Sequence, residues 1–193
     1  MKEKAGVILE GIVTTLNPDG SANISPMGPE VDSALEQLVL KPFRSSTTYA
    51  NLKRTGHGVF HVTDDVELLA QAAVGTPDPL PPMIACEQFD GRILAGACRW
   101  YALRVTALDD AEERTRIETR IVAAGRLRDF FGFNRAKHAV LEAAILATRT
   151  GLLPAADIFA QLERLRPLVE KTGGDAERRA WAHLEQAIAE RCR

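Results

Sequence analysis

Two short stretches near the N-terminus carry the residue types from which a phosphate site can be built. Arg44-Ser45-Ser46-Thr47-Thr48 sets four hydroxyls in a row beside a guanidinium, just where helical character begins. A phosphate monoester needs several hydrogen-bond donors and at least one positive charge. A helix start adds free backbone N–H groups and a favourable dipole. The same run also suits a helix cap with no ligand, for which one hydroxyl is enough. The second stretch is Asn23-Ile24-Ser25-Pro26-Met27-Gly28. On a strand, Asn23 and Ser25 share a face and could meet the edge of a heterocycle. Pro26 and Gly28 interrupt regular pairing and leave backbone N–H and C=O groups for a ligand, although a plain strand end and turn reads the same way.

The elements that must position these residues follow from turn and capping signals. Residues 6–16, rich in Val, Ile and Thr, read as a strand. Asn17-Pro18-Asp19-Gly20 is a turn, so the next strand folds back as a hairpin. A third strand is expected over 35–43 and a short helix over 46–54, opened by the hydroxyls. A strand over 58–63 precedes a helix capped by Thr63-Asp64-Asp65, and residues 75–82 are Pro-rich and irregular. Two longer strands follow, over 92–108 and 113–126. In the second, Ile117, Thr119 and Ile121 take one buried face and Arg116, Glu118 and Arg120 the other.

From Asn134 the chain reads as helical. The first helix, 134–149, is closed by Gly151. Pro154 opens the second, which Pro167 is expected to kink or divide. The last, capped by Asp175, carries Trp181, Leu184 and Ile188 in one stripe. Strands first and helices last predict an α+β fold: a mostly antiparallel barrel over 1–126 and a helical C-terminal subdomain over 127–193.

A formal net charge of -2 offers no general attraction to nucleic acid or anionic membranes. Cys86, Cys98 and Cys192 are far apart, without zinc or CxxC spacing, and read as free thiols in a reducing cytoplasm. Met1–Ala5 leads into a short apolar run containing Glu10, which is neither a signal-peptide core nor a spanning segment. His57 and His61 share a strand face, but two histidines without a third ligand do not make a metal site.

In combination these motifs resemble the flavin reductase-like FMN-binding split-barrel proteins, and within them a small branch of unassigned function from archaea and other methanopterin-using microbes. The resemblance rests on the hairpin Thr14 to Gly20, on Asn23-x-Ser25-Pro26-Met27-Gly28 and on Ser46-Thr47-Thr48-x-x-Asn51-Leu52. It continues through Val59-Phe60-His61-Val62-Thr63-Asp64-Asp65 and the helix holding Asn134-Arg135-Ala136, Leu141-Glu142-Ala143 and Ala147-Thr148-Arg149. It covers nearly the whole chain, the Pro-rich middle matching least.

The resemblance implies a Greek-key split barrel of the FMN-binding type, with FMN at a homodimer interface. Arg44, Ser46, Thr47 and Thr48 would hold the phosphate, with Asn51 supporting that loop. Asn23, Ser25 and the backbone around Pro26 and Met27 would line the isoalloxazine ring. The implied activity is a flavin-dependent oxidoreduction with NADH or NADPH as an electron donor, on a pterin or other one-carbon substrate. The alternatives are a non-catalytic module for FMN or another phosphorylated ligand, and an activity like that of pyridoxamine-phosphate oxidases.

His61 stands where the branch carries Asn, either as a hydrogen-bonded strand residue or as a proton donor near the flavin. Arg135, His138, Glu142 and Arg149 share one helical stripe. They form either an ion-pair network that docks the helical subdomain on the barrel or a reach towards an anionic substrate. Phe130, Phe131 and Phe133 read as core or as a dimer contact.

Overall fold

The Asn17–Gly20 segment makes the tight turn that its residue types demand. Gly20 N–H donates to the Asn17 carbonyl at 3.0 Å and Asn17 N–H to the Ser21 carbonyl at 2.9 Å. Gly20 takes the left-handed conformation (φ 82°) that closes such a three-residue loop. The computed structural model describes residues 6–193, so the Met1–Ala5 segment read above lies outside the described residues.

The turn caps a long ribbon. β1 (Val7–Ile8) and β2 (Gly11–Leu16) run one way, and β3 (Ala22–Met27) and β4 (Glu30–Val31) return. Cross-strand partners stay in step along the whole ribbon, from Val7 opposite Val31 to Leu16 opposite Ala22. Between its halves Leu9 N–H donates to the Pro29 carbonyl at 3.1 Å. Gly28 keeps the ribbon close here, because a Cβ would stand 2.8 Å from the Glu10 carboxylate and the Ile8 side chain and displace them.

The chain continues through β5 (Gln37–Leu40), α1 (Thr47–Thr55), β6 (His57–Val62), α2 (Val66–Val74), β7 (Met83–Ala85), β8 (Arg92–Leu94), β9 (Arg99–Asp109) and β10 (Arg116–Arg126). Helices α3 (Arg135–Ala147), α4 (Ala155–Thr172) and α5 (Asp175–Arg191) complete it. The main sheet is antiparallel, in the order β1-β4-β5-β10-β9-β6-β2-β3. Because β1 leads into β2 and β3 into β4, both ends of that order belong to the one ribbon, and the sheet curls into a split barrel. Val13, Leu38, Leu40, Phe60, Leu103 and Ile117 fill its interior. Burial of each such side chain contributes about 1.5–3 kcal/mol relative to exposure. On the opposite face, Val59 and Ala102 pack with Cys86 and Ile93 of the β7–β8 segment.

Contacts group the residues up to Thr63 and Pro82–Asp129 into a sheet unit, and Asp64–Pro81 with Phe130–Arg193 into a helical unit. Within the helical unit, Ala136, Ala139, Ala143 and Ala147 give α3 a narrow buried face that lets neighbouring helices approach closely. Asn134 caps α3 by accepting the Lys137 N–H at 3.1 Å, and Asp65 caps α2 by accepting the Leu68 N–H at 3.0 Å.

Several expectations need correction. Pro167 does not divide α4, which runs as one helix from Ala155 to Thr172. An internal proline costs a helix about 3 kcal/mol, and the buried face of Ile158, Leu162 and Val169 offsets it. The strand expected over 92–108 is two, β8 and β9, parted at residues 95–98, and β7 with β8 forms a small hairpin of its own. At the start of α5 the capping carboxylate is that of Glu177, which accepts the Gly174 N–H at 2.9 Å, while Asp175 is the first helical residue. Phe131 and Phe133 are 74% and 94% exposed and so are not core.

Candidate functional site

The two chemistry-bearing stretches meet. Asn23, half-buried on β3, donates through Nδ2 to the Thr48 hydroxyl at 3.0 Å and to the Thr15 hydroxyl at 3.2 Å. Asn51, one turn along α1 from Thr48, donates to the same Thr15 oxygen at 3.1 Å and to Asn17 Oδ1 at 2.9 Å. Thr15, Thr48 and Asn51 are all buried. Nothing in the sequence marks Thr15 as a site residue, yet it is the hub that fastens the start of α1 to the hairpin. Its only local signal is a polar residue on a strand whose every position is buried.

This network divides the predicted residues by task. Both Nδ2 hydrogens of Asn23 are committed, so Oδ1 is the atom it has left for a ligand. Asn51 is held in place internally, with its Oδ1 accepting from Arg54 at 3.3 Å. Ser46 is the cap of α1, its hydroxyl accepting the Tyr49 N–H at 3.2 Å. Helix geometry leaves the N–H groups of Thr47 and Thr48 outside the ladder. The Thr47 side chain and Arg44 are exposed beside them. Arg44 is anchored at both ends: its N–H donates to the Glu113 carbonyl at 2.8 Å and its guanidinium to the Asp110 carbonyl at 3.3 Å.

The β3 shelf is also divided. Asn23, Ser25 and Met27 lie opposite Thr15, Val13 and Gly11 of β2, whereas Pro26 alternates to the other face opposite Ile12. Ser25 turns towards the carbonyl of Pro26 at 3.4 Å, and Met27 packs against the barrel core. β3 is an edge strand, where a proline costs no ladder hydrogen bond. Its outer backbone edge is thus open to a ligand.

A charged group sits behind the helix start. Asp110 Oδ2 accepts from the Tyr49 hydroxyl at 2.5 Å and from Lys53 Nζ at 2.7 Å. The hydrogen bond from Lys53, and then that from Tyr49, hold the Asp110 carboxyl below its ordinary value. The same hydrogen bond to Asp110 holds the Lys53 ammonium above its own.

His61 is fully buried, and both ring nitrogens are used. The Leu94 N–H donates to Nε2 at 3.1 Å, so Nε2 is the acceptor and Nδ1–H donates to the Ile12 carbonyl at 3.1 Å. Burial pushes its pKa down to about 4, only partly opposed by the bond to Ile12. It is the hydrogen-bonded strand residue of the two alternatives, with no proton to give a ligand at neutral pH.

Among the described residues no ion pair joins Arg135, His138, Glu142 and Arg149 to one another. His138 instead lies against the Phe133 ring, with centroids 6.1 Å apart. No three His, Cys, Asp or Glu side chains among the described residues converge as a metal site would require, and no helix among them is long and apolar enough to cross a membrane. A cavity of about 380 Å³ belongs to the helical unit, lined by Arg166, Val169, Glu170, Arg178 and Trp181. The site built around Asn23 and Thr48 is an open ledge of the sheet unit.

A curled antiparallel barrel of this order is the split barrel of flavin reductase-like proteins. An FMN-bound protein from Methanosarcina mazei matches over 95% of this chain and 96% of its own, with a TM-score of 0.79 and 24% identity. An FMN-binding protein from Thermus thermophilus matches over 65% of this chain and 73% of its own (TM-score 0.52, 15% identity). A flavin reductase domain protein from an Arthrobacter species matches over 65% and 79% (TM-score 0.54, 18% identity). The chain belongs to the DUF447 family: the N-terminal domain of this protein family of unknown function matches residues 9–128 and its C-terminal domain residues 134–186. The M. mazei protein is of the same family. No curated protein matches the chain.

Proposed function

We propose that this chain binds FMN and serves as a flavin-dependent oxidoreductase. The observation that carries the reading is the 3.0 Å hydrogen bond from Asn23 to Thr48, which brings a strand edge suited to a heterocycle beside a helix start suited to a phosphate. The donor set fits. Arg44, the hydroxyls of Ser46, Thr47 and Thr48, and the free N–H groups of α1 suit a phosphate dianion, and the helix dipole adds about 0.3–1 kcal/mol for a charge placed there. Ser46 already accepts a hydrogen bond, so its O–H hydrogen remains to be donated outward, while the buried Thr48 hydroxyl holds Asn23 in place beside it. Asn51 holds the loop from beneath. Asn23 Oδ1, Ser25 and the backbone at Pro26 and Met27 would face the ring edge.

Bound FMN supplies hydride and single-electron transfer. The residues of this chain bind and orient it, and His61 donates no proton to it. The ledge is open, as half of a site shared between two copies would be, and a homodimer is part of the reading. NADH or NADPH is the electron donor by analogy with an NADH:FAD oxidoreductase of similar fold.

A visible spectrum of the purified protein, before and after addition of FMN, tests cofactor binding. Flavin absorption that co-purifies or is acquired supports it, and a colourless protein that takes up no FMN refutes it. Reduction of the bound flavin by NADH or NADPH and turnover with an acceptor then test the activity. FMN binding without any reductive half-reaction would leave a binding module in its place.

A further inference from the structure

We propose that Asp110, in the connection between β9 and β10, is a positioning residue for the phosphate site: its carboxylate locks that connection onto α1, and its carbonyl orients Arg44. The inference rests on the FMN reading above. Tyr49 and Lys53 lie one turn apart on α1, and both donate to the same oxygen of Asp110, at 2.5 and 2.7 Å. Lys53 also donates to the Tyr49 hydroxyl at 3.0 Å, which closes a three-membered cluster across 61 residues of sequence. The strand leading into α1 is strapped to the same connection, because Thr115 N–H and hydroxyl both donate to the Pro42 carbonyl, at 3.0 and 2.8 Å.

The Lys53–Asp110 pair is substantially exposed, with 56% and 33% of the side chains accessible, so it adds little to stability. What it does fix is direction. With Asp110 immobile, one guanidinium nitrogen of Arg44 is held at the Asp110 carbonyl, and Nε and the other nitrogen stay available as a fork for a phosphate. An arginine already ordered before the ligand arrives loses less freedom on binding it.

The test compares FMN with riboflavin, which lacks the phosphate, by quenching of flavin fluorescence on titration. Wild-type protein is expected to prefer FMN. Asp110→Ala should weaken FMN binding roughly tenfold, the cost of ordering one long side chain, and leave riboflavin binding unchanged. Asp110→Asn keeps an oxygen for Tyr49 and Lys53 and should stay within about twofold of wild type. Tyr49→Phe, which removes one hydroxyl from a helix that keeps its shape, should weaken FMN by an intermediate factor.

An equal loss of FMN and riboflavin in Asp110→Ala would make the role merely structural and overturn the proposal. Tighter FMN binding in both Asp110 variants would also overturn it, because the carboxylate would then act only by repelling the phosphate. Wild-type protein that binds the two flavins equally would remove the phosphate site itself, a failure of the underlying reading visible before any variant is made.

Discussion

Acidification should unlock the sheet unit at His61, and the size of the effect follows from its burial. The neutral ring accepts from Leu94 and donates to Ile12, and its pKa falls from 6.5 to about 4. The folded state therefore binds fewer protons than the unfolded state between about pH 6.5 and pH 4. Stability from this group is whole above about pH 6.5, falls as pH drops through that window, and loses no more once both states are protonated. Each tenfold weakening of proton binding is worth about 1.4 kcal/mol, so the loss across the window totals about 3 kcal/mol.

Urea unfolding at half-unit pH steps from 7 to 4 reads it, with His61→Asn as the reference. The amide cannot titrate, so the reference should be less stable at pH 7 yet shallower in slope by about 1.4 kcal/mol per pH unit inside the window. The difference between the two proteins cancels the carboxylates common to both. Parallel curves between pH 6.5 and 4.5 would refute the reasoning, as would an imidazole that titrates near 6.5 by NMR in the folded protein.

Other outcomes follow from the same contacts. Arg44→Ala and Thr47→Val should each weaken FMN binding in flavin titration and leave the urea midpoint where it was, since both side chains are exposed. Thr15→Val keeps the shape of the side chain but strips one partner from Asn23 and one from Asn51, so it should cost about 1–3 kcal/mol in urea unfolding and also weaken FMN. Lys137 donates to the Asp64 carbonyl at 2.7 Å and pairs with Glu177 at 3.0 Å, both side chains being largely buried. Lys137→Met should therefore cost about 3 kcal/mol by leaving the largely buried Glu177 carboxylate without its cation. Arg179→Gln breaks a pair with Glu67 that is well formed but exposed on the arginine side, and should cost less than about 1 kcal/mol in the same assay.

The parts of the fold legible in the sequence are those decided within a few residues. Asn17-Pro18-Asp19-Gly20 carries its own turn chemistry, and the side-chain oxygens of Ser46, Asp65 and Asn134 cap the helices that follow by accepting the backbone N–H three residues on. Alternation on β10 places Ile117 and Thr119 inside because a strand's period is independent of its partners. Pro167 and the residue 92–108 stretch mislead for the opposite reason. The continuity of α4 depends on the face it buries. The break before β9 depends on a hairpin, β7 with β8, whose three-residue strands are too short to carry a period of their own. The Arg135–Arg149 stripe has ion-pair spacing, but spacing shows only which side chains share a face, and these four do not pair.

The candidate site shows the same division more sharply. Arg44, Thr47 and Asn23 can be picked out by type, because a phosphate and a heterocycle edge ask for those groups wherever they lie. What assembles them is invisible locally. Thr15 meets Asn23 because β2 and β3 pair in one register, and a slip of a single residue would turn its hydroxyl to the other face. Asp110 meets Tyr49 only once β9 and β10 have carried it back to α1. Ligand-facing atoms are thus chosen by chemistry and can be read one at a time, whereas the groups that hold them still are chosen by register. Among those holding groups, Thr15 supports both fold and site, so its substitution should move folding and flavin binding together, whereas substitution of Asp110 should move flavin binding alone.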